Sequence, residues 1–191
     1  MNAPFCHECY SPPILPIDLL LGLLIIAVII LAVWMIQHLF LKVTYIPTPP
    51  AVMDGMLKLA DIKEYDHIVD LGAGDARFLI AAKRRYPHII ANGCEILLPV
   101  WLLGKVKIWR SGLPISLSCA NLFSVSLADA DVVFVYLWPS LMGKLEEKCV
   151  KELQQGARVI SHAFRFPGKN PEQELKMDIE GRKHTLFLYR I

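Results

Sequence analysis

Hydrophobic and polar positions divide the chain into two unlike parts. Between Leu19 and Leu41 there is no Asp, Glu, Lys or Arg. As a helix rising about 1.5 Å per residue, this run of roughly 23 residues is long enough to cross a hydrocarbon core of about 30 Å. Beyond Lys63 the pattern changes to short apolar runs separated by longer mixed segments. It predicts strands at His67–Leu71, 89–94, Ile115–Cys119, 132–137 and 157–163, with helices at 75–85, 99–110 and 140–155. Residues 185–190 are predicted to close the chain as an edge strand. Continuous apolar strands alternating with helices predict an α/β fold, a mostly parallel Rossmann-like sheet with helices on both faces.

Four segments follow: a short tail (1–17), a transmembrane helix (18–41), a Pro-rich linker (42–50) and one domain (51–191). Tyr45-Ile46-Pro47-Thr48-Pro49-Pro50 is stiff and extended, because proline fixes φ and restricts the residue before it. Thr48 is read as linker, with a local cap or a pocket residue as the other roles open to it. Residues 51–59 predict a short helix turning Val52, Met53, Met56 and Leu57 inward. A cleaved signal peptide fits poorly, since Glu8 and Asp18 rather than basic residues precede the apolar run. Trp34 falls near the distal end, where an interfacial aromatic is expected. All 20 Lys and Arg residues lie at or beyond Lys42. The positive-inside tendency therefore predicts the tail outside and the domain in the cytoplasm, at a bacterial inner membrane or, in a eukaryote, a mitochondrial one.

Composition sharpens this division. The hydrophobic share is 54% and mean hydropathy +0.43, with the excess concentrated near the N-terminus. What remains is one domain of roughly 140 to 150 residues. A net charge of +2 gives no electrostatic case for a nucleic-acid partner, and Lys83-Arg84-Arg85 reads as a solvated helix end. Cys94, Cys119 and Cys149 lie in or beside apolar elements and are read as small buried hydrophobes. Cys6-His7-Glu8-Cys9 has C-x-x-C spacing, but no second pair completes a tetrahedral zinc site and no metal is assigned.

The chemistry centres on His67-Ile68-Val69-Asp70-Leu71-Gly72-Ala73-Gly74-Asp75-Ala76-Arg77. A buried strand stops at a glycine turn and enters a helix, which predicts unpaired backbone N–H groups and a carboxylate around a pocket at the strand's carboxyl edge. A dinucleotide fingerprint would need a small residue where Arg77 stands, and Asp70 and Asp75 would repel a pyrophosphate. A ligand with a cationic sulfonium and an ammonium group tolerates both, so S-adenosylmethionine (SAM) is favoured. Gly72 and Gly74 shape the turn. Glu95, about 20 positions on, can accept both ribose hydroxyls. Asn121 could meet an adenine amino group or serve as a turn residue.

The ordered set Pro47-Thr48-Pro49, Met56-Leu57, Val69–Arg77, Trp101, Trp109-Arg110, Asp131-Val132-Val133-Phe134-Val135-Tyr136-Leu137-Trp138-Pro139 and Arg165-Phe166-Pro167 resembles the class I SAM-dependent methyltransferases. Within them it is most similar to the membrane-anchored family that includes the lysine N-methyltransferase of the ATP synthase c-subunit. The family usually has Gly at Ala76, Asn-Pro-Trp where this chain has Leu98-Pro99-Val100-Trp101, and Asp at Asn121. The resemblance implies a protein-lysine N-methyltransferase acting on a substrate in or near the membrane, with SAM as cofactor. Tyr136, Trp138 and Pro139 are the acceptor-site candidates, with core aromatics at a strand end as the other reading. Arg165 could line the pocket or cap the sheet. A non-catalytic SAM-fold module, and a methyltransferase of a lipid or small molecule, are the alternatives.

Overall fold

The computed structural model describes residues 16–41 and 45–191. The tail with Cys6 and Cys9, Lys42 and the side chain of Trp34 lie outside the described residues. The chain divides into two units. The first holds helix α1, Ile17–Leu41, with a single acidic residue, Asp18, in its first turn. Its described apolar side chains, among them Leu20, Leu24, Ile25, Val28 and Ile29, are exposed. Among the described residues no helix is long and apolar enough to cross a membrane.

The second unit is a seven-stranded sheet. Its elements in chain order are α2 (Pro50–Leu59), β1 (His67–Leu71), α3 (Arg77–Arg85), β2 (Ile90–Glu95), α4 (Leu98–Ser111), β3 (Ile115–Cys119), β4 (Val132–Val135), α5 (Pro139–Glu152), β5 (Arg158–His162), β6 (Gln173–Ile179) and β7 (Arg182–Arg190). A short 3₁₀ turn, Leu122–Ser124, follows β3. The strand order is β3-β2-β1-β4-β5-β7-β6. The first five strands pair in parallel, while β7 runs antiparallel to β5 and β6 antiparallel to β7. Order reverses beside β1, so the carboxyl ends of β1 and β4 flank the crevice where open α/β sheets bind ligands.

Both faces are covered. Val52, Met56 and Leu57 of α2, Phe78 and Leu79 of α3 and Ile108 of α4 pack on one face against Ile68, Phe134 and Ile160. Met142, Leu145 and Cys149 of α5 pack on the other against Val69, Val133 and Val159. At the amino ends of the strands, buried Arg158 donates to Asp66 Oδ2 at 2.6 Å and to the Ala60 carbonyl at 2.8 Å. That pair ties β5 to the loop entering β1.

Three expectations are corrected. Residues 185–190 belong to β7, an interior strand, and the edge is β6, which the pattern did not predict. Glu174, Lys176 and Asp178 give β6 the charged, exposed character by which an edge strand avoids further pairing. The β6–β7 loop is Glu180-Gly181, whose positive φ values of 53° and 77° fit a type I′ hairpin. Cys119 is exposed, because it ends the edge strand β3. Lys83 is buried at the end of α3, with its ammonium on the Ile89 carbonyl, while Arg84 and Arg85 are solvated.

Candidate functional site

The turn after β1 carries the site. Gly72 and Gly74 have φ of 84° and 56°, values open to glycine without a Cβ clash. A Cβ on Gly74 would lie 2.5 Å from the Tyr45 ring, so this position also lets Tyr45 pack onto the turn. α4 closes on it from below, where Gly104 lacks the Cβ that would crowd the Gly74 carbonyl at 3.2 Å. Ala76 precedes α3 with φ 60°, a left-handed conformation that explains why the similar family usually has glycine there.

The turn's amides are engaged inside the chain, contrary to the expectation of unpaired N–H groups. Gly72 and Ala73 donate to the Cys94 carbonyl at 3.0 and 2.8 Å, and Ala76 donates to the Ala73 carbonyl at 2.9 Å. Gly74 donates to Glu95 Oε2 at 3.0 Å. With these donors occupied, the turn offers little to a phosphate. Its remaining capacity is acidic.

Asp70, the penultimate residue of β1, and Glu95, the last of β2, stand on adjacent parallel strands in which Asp70 is level with Gly93. Both are buried, at 8% and 6% exposure. Burial, and then the Glu95 charge, push the Asp70 carboxyl up to about 7, with no cation offsetting them. Glu95 accepts from Gly74 through Oε2 and from Leu97 through Oε1, the latter at 2.8 Å. A carboxylate has about four lone-pair sites, so capacity for about two further donors remains, enough for a pair of ribose hydroxyls.

Asp75 differs. It is 1% exposed and pairs with Arg77, whose Nε and Nη2 donate at 2.8 and 2.7 Å, and with the Lys107 ammonium. Burial opposes its ionisation, but those donors win and hold its carboxyl far below the usual range. Asp75 thus braces α3 and α4 beneath the turn, and its charge is already matched. Asn121 is exposed, and its Oδ1 caps the 3₁₀ turn by accepting from Phe123 at 3.0 Å, which leaves its amide donors for another partner.

The acceptor-site candidates leave β4 beside this turn. A Cβ on Gly72 would meet Leu137 at 3.1 Å. Tyr136 is half-buried, while Trp138 is 43% exposed and stands at the N-cap of α5. Pro139 takes the first helical position, where its missing N–H costs nothing. Arg165 pairs with Glu174 and lies 5.1 Å over the Phe187 ring, a brace between the loop after β5 and the β6–β7 hairpin.

Sequence reasoning missed two groups. The Tyr45 hydroxyl is buried beside Asp75 and makes no hydrogen bond of good geometry among the described residues. Burial and the Asp75 charge push its pKa up to about 12, so it remains a donor. His162, at the end of β5, is also buried, and its Nδ1 is likewise unpartnered. The available signal was a histidine at the end of a predicted strand for His162, while Tyr45 stands in the linker, where the pattern gave none.

An orphan donor, two buried carboxylates without a cation and a turn whose amides are satisfied together fit a cationic nucleoside such as SAM and disfavour a dinucleotide. Fold and site define a class I SAM-dependent methyltransferase. The chain belongs to the ANTKMT methyltransferase domain family, which it matches over residues 70–173. It is 34% identical over 151 residues to a protein-lysine N-methyltransferase of Saccharolobus islandicus (strain REY15A), covering 78% of this chain and 94% of that one. It is 36% identical over 110 residues to the ATP synthase c-subunit lysine N-methyltransferase of Mus musculus. That match covers 55% of this chain, which spans only 42% of the mouse protein. The crystal structure of an RNA methyltransferase from Salinibacter ruber in complex with S-adenosyl-L-homocysteine superposes with a TM-score of 0.70 at 32% identity, covering 76% of this chain and 94% of that one.

Proposed function

We propose that this chain is a membrane-anchored protein-lysine N-methyltransferase whose substrate lies in or near the membrane. The observation that carries the methyl-donor half is the uncompensated Asp70–Glu95 pair at the carboxyl edge. Glu95 would hold the ribose hydroxyls, Asp70 would face the cationic part of the cofactor, and Asn121 would meet the adenine through its free amide donors. When bound, SAM supplies a methyl group that bonds to the acceptor nitrogen's lone pair as the carbon–sulfur bond breaks and its electron pair stays on sulfur. The chain's own work is alignment of the acceptor, exclusion of water and removal of the amine's proton. Tyr136 and Trp138 offer an aromatic wall, and a partly apolar wall favours the neutral amine by penalising its charged form.

The lysine acceptor is supported by the names of the Saccharolobus and mouse relatives. The anchor is supported by the uncharged run in the sequence and by the exposed apolar side chains along α1. Tethering a catalytic domain to the bilayer raises the effective concentration of membrane substrates. The excess of Lys and Arg after the run favours a cytoplasmic domain with the tail opposite.

The test is methyl-labelled SAM added with the full chain to membrane and soluble fractions from cells lacking it. Label on lysine in a membrane-fraction protein is expected. Label that extracts into lipid would replace the substrate class, and SAM binding without label anywhere would support a non-catalytic module. Protease added outside intact cells should spare the domain, and its cleavage would reverse the topology.

A further inference from the structure

The carboxyl edge of the sheet holds a pair of histidines that the cofactor assignment above leaves unused. Leu71, Val135 and Ser161 are level across β1, β4 and β5. The next residue of each strand, Gly72, Tyr136 and His162, therefore continues one row at the carboxyl edge. The His162 ring lies 4.1 Å from the Tyr136 ring, centroid to centroid, at 38°. Its Nε2 is 3.0 Å from Nδ1 of half-buried His184, on β7. Ala163, just beyond, has φ 71°, and its amide donates to the Thr185 carbonyl at 2.8 Å. This strained exit locks the end of β5 to β7 and so fixes the two rings together.

Resting on the lysine-methyltransferase reading, we propose that His184 takes the proton from the acceptor ammonium and that His162 is the residue that positions it. His162 accepts at Nε2 from His184 Nδ1–H, which fixes the tautomer of His184 and leaves its Nε2 lone pair as the base. The N–H bond of the acceptor breaks, an N–H bond forms at His184 Nε2, and the freed electron pair stays on the amine nitrogen. The proton passes from His184 to solvent before the next turnover.

The surroundings keep His162 neutral and line the pair's inner side with apolar groups. Burial, followed by the neighbouring His184, lowers the His162 pKa to about 4, so the His162 ring stays neutral, and the tautomer protonated at Nδ1 is the one that accepts at Nε2. The face of α2 turned to the sheet carries Val52, Met53, Met56 and Leu57, while its charged Asp54 and Lys58 are exposed. On β6, Met177 is the partner of His184, and the neighbouring Lys176 and Asp178 alternate to the opposite face. Tyr136 is the other titratable group in contact, from the end of β4.

The experiment uses the full chain with extract proteins as acceptor, measuring methyl transfer at about pH 7 and about pH 10, where roughly a quarter of a free lysine amine is already neutral, several hundred times the fraction at pH 7. His184→Gln is expected to lose roughly 10²-fold at the lower pH and to recover most of that at the higher. His162→Gln, whose side-chain carbonyl can accept the same bond, should retain most activity, whereas His162→Leu should fall with His184→Gln. SAM affinity by calorimetry should change less than about twofold in all three. A pH-independent loss, or a wild-type rate in His184→Gln, overturns the proposal. If SAM binds but no protein is labelled at either pH, the lysine reading fails instead. The pair is then judged by its imidazole ¹⁵N resonances in chain loaded with S-adenosylhomocysteine. Saturable movement on adding n-butylamine, the lysine side chain in miniature, supports the proton-accepting role, and unmoved resonances overturn it.

Discussion

The two edges of the parallel sheet are built to opposite rules. At the amino edge every notable charge is matched. Asp66 accepts from the Lys63 amide at 2.8 Å and from Arg158 at 2.6 Å, and Asp131 accepts from the His67 amide at 2.8 Å. At the carboxyl edge Asp70 is buried beside Glu95 with no cation. The two buried side-chain atoms that lack partners among the described residues, Tyr45 Oη and His162 Nδ1, are also there. An unsatisfied buried polar group costs about 1–3 kcal/mol, so a site that keeps several is held open by the rest of the fold. The amino edge is completed by folding, and the carboxyl edge is completed by ligands.

Breaking the amino edge should have the largest effect. Arg158→Met leaves Asp66 buried without its cation, and is expected to lower stability by about 3–5 kcal/mol in chemical denaturation. SAM affinity of the molecules that remain folded should not change. Asp70→Asn should do the reverse. SAM affinity is expected to fall roughly 10- to 100-fold by calorimetry, as a hydrogen-bonded charge is lost, while the ligand-free protein gains about 1–2 kcal/mol near neutral pH. The sign follows from the raised pKa. Between 3.8 and about 7 the folded chain keeps a proton that the unfolded chain has lost, so stability falls as pH rises through that window. The substitution removes that decline. The smallest effect is expected from Ala76→Gly, which relieves the left-handed φ of 60° and should stabilise the domain by about 1 kcal/mol in a thermal melt without altering SAM affinity.

The same contrast governs what could be read from the chain. β1 is buried on both faces and β3 alternates apolar with polar residues at the sheet edge, and both patterns made His67–Leu71 and Ile115–Cys119 legible to the residue. β6 was not, because three charges on seven residues hide a strand whose pairing is fixed by the Glu180-Gly181 turn and by β7. Asp70 and Glu95 were legible because each stands at the carboxyl end of a strand, Asp70 one residue before the last and Glu95 the last. Asp75 looked equivalent beside them, but its charge is matched by Arg77, two positions on, and by Lys107, 32 positions away. His162 and His184 stand 22 positions apart and meet only through the antiparallel β5–β7 pairing, which the strand pattern did not contain.

The most direct test is titration of the full chain with SAM and with S-adenosylhomocysteine, which lacks the sulfonium charge, at pH values on either side of about 7. If the carboxyl edge awaits a cation, SAM binding tightens as pH rises through the raised Asp70 pKa and releases a proton, and S-adenosylhomocysteine binding does so less. SAM binding that is independent of pH across this range, or matched step for step by S-adenosylhomocysteine, would contradict it.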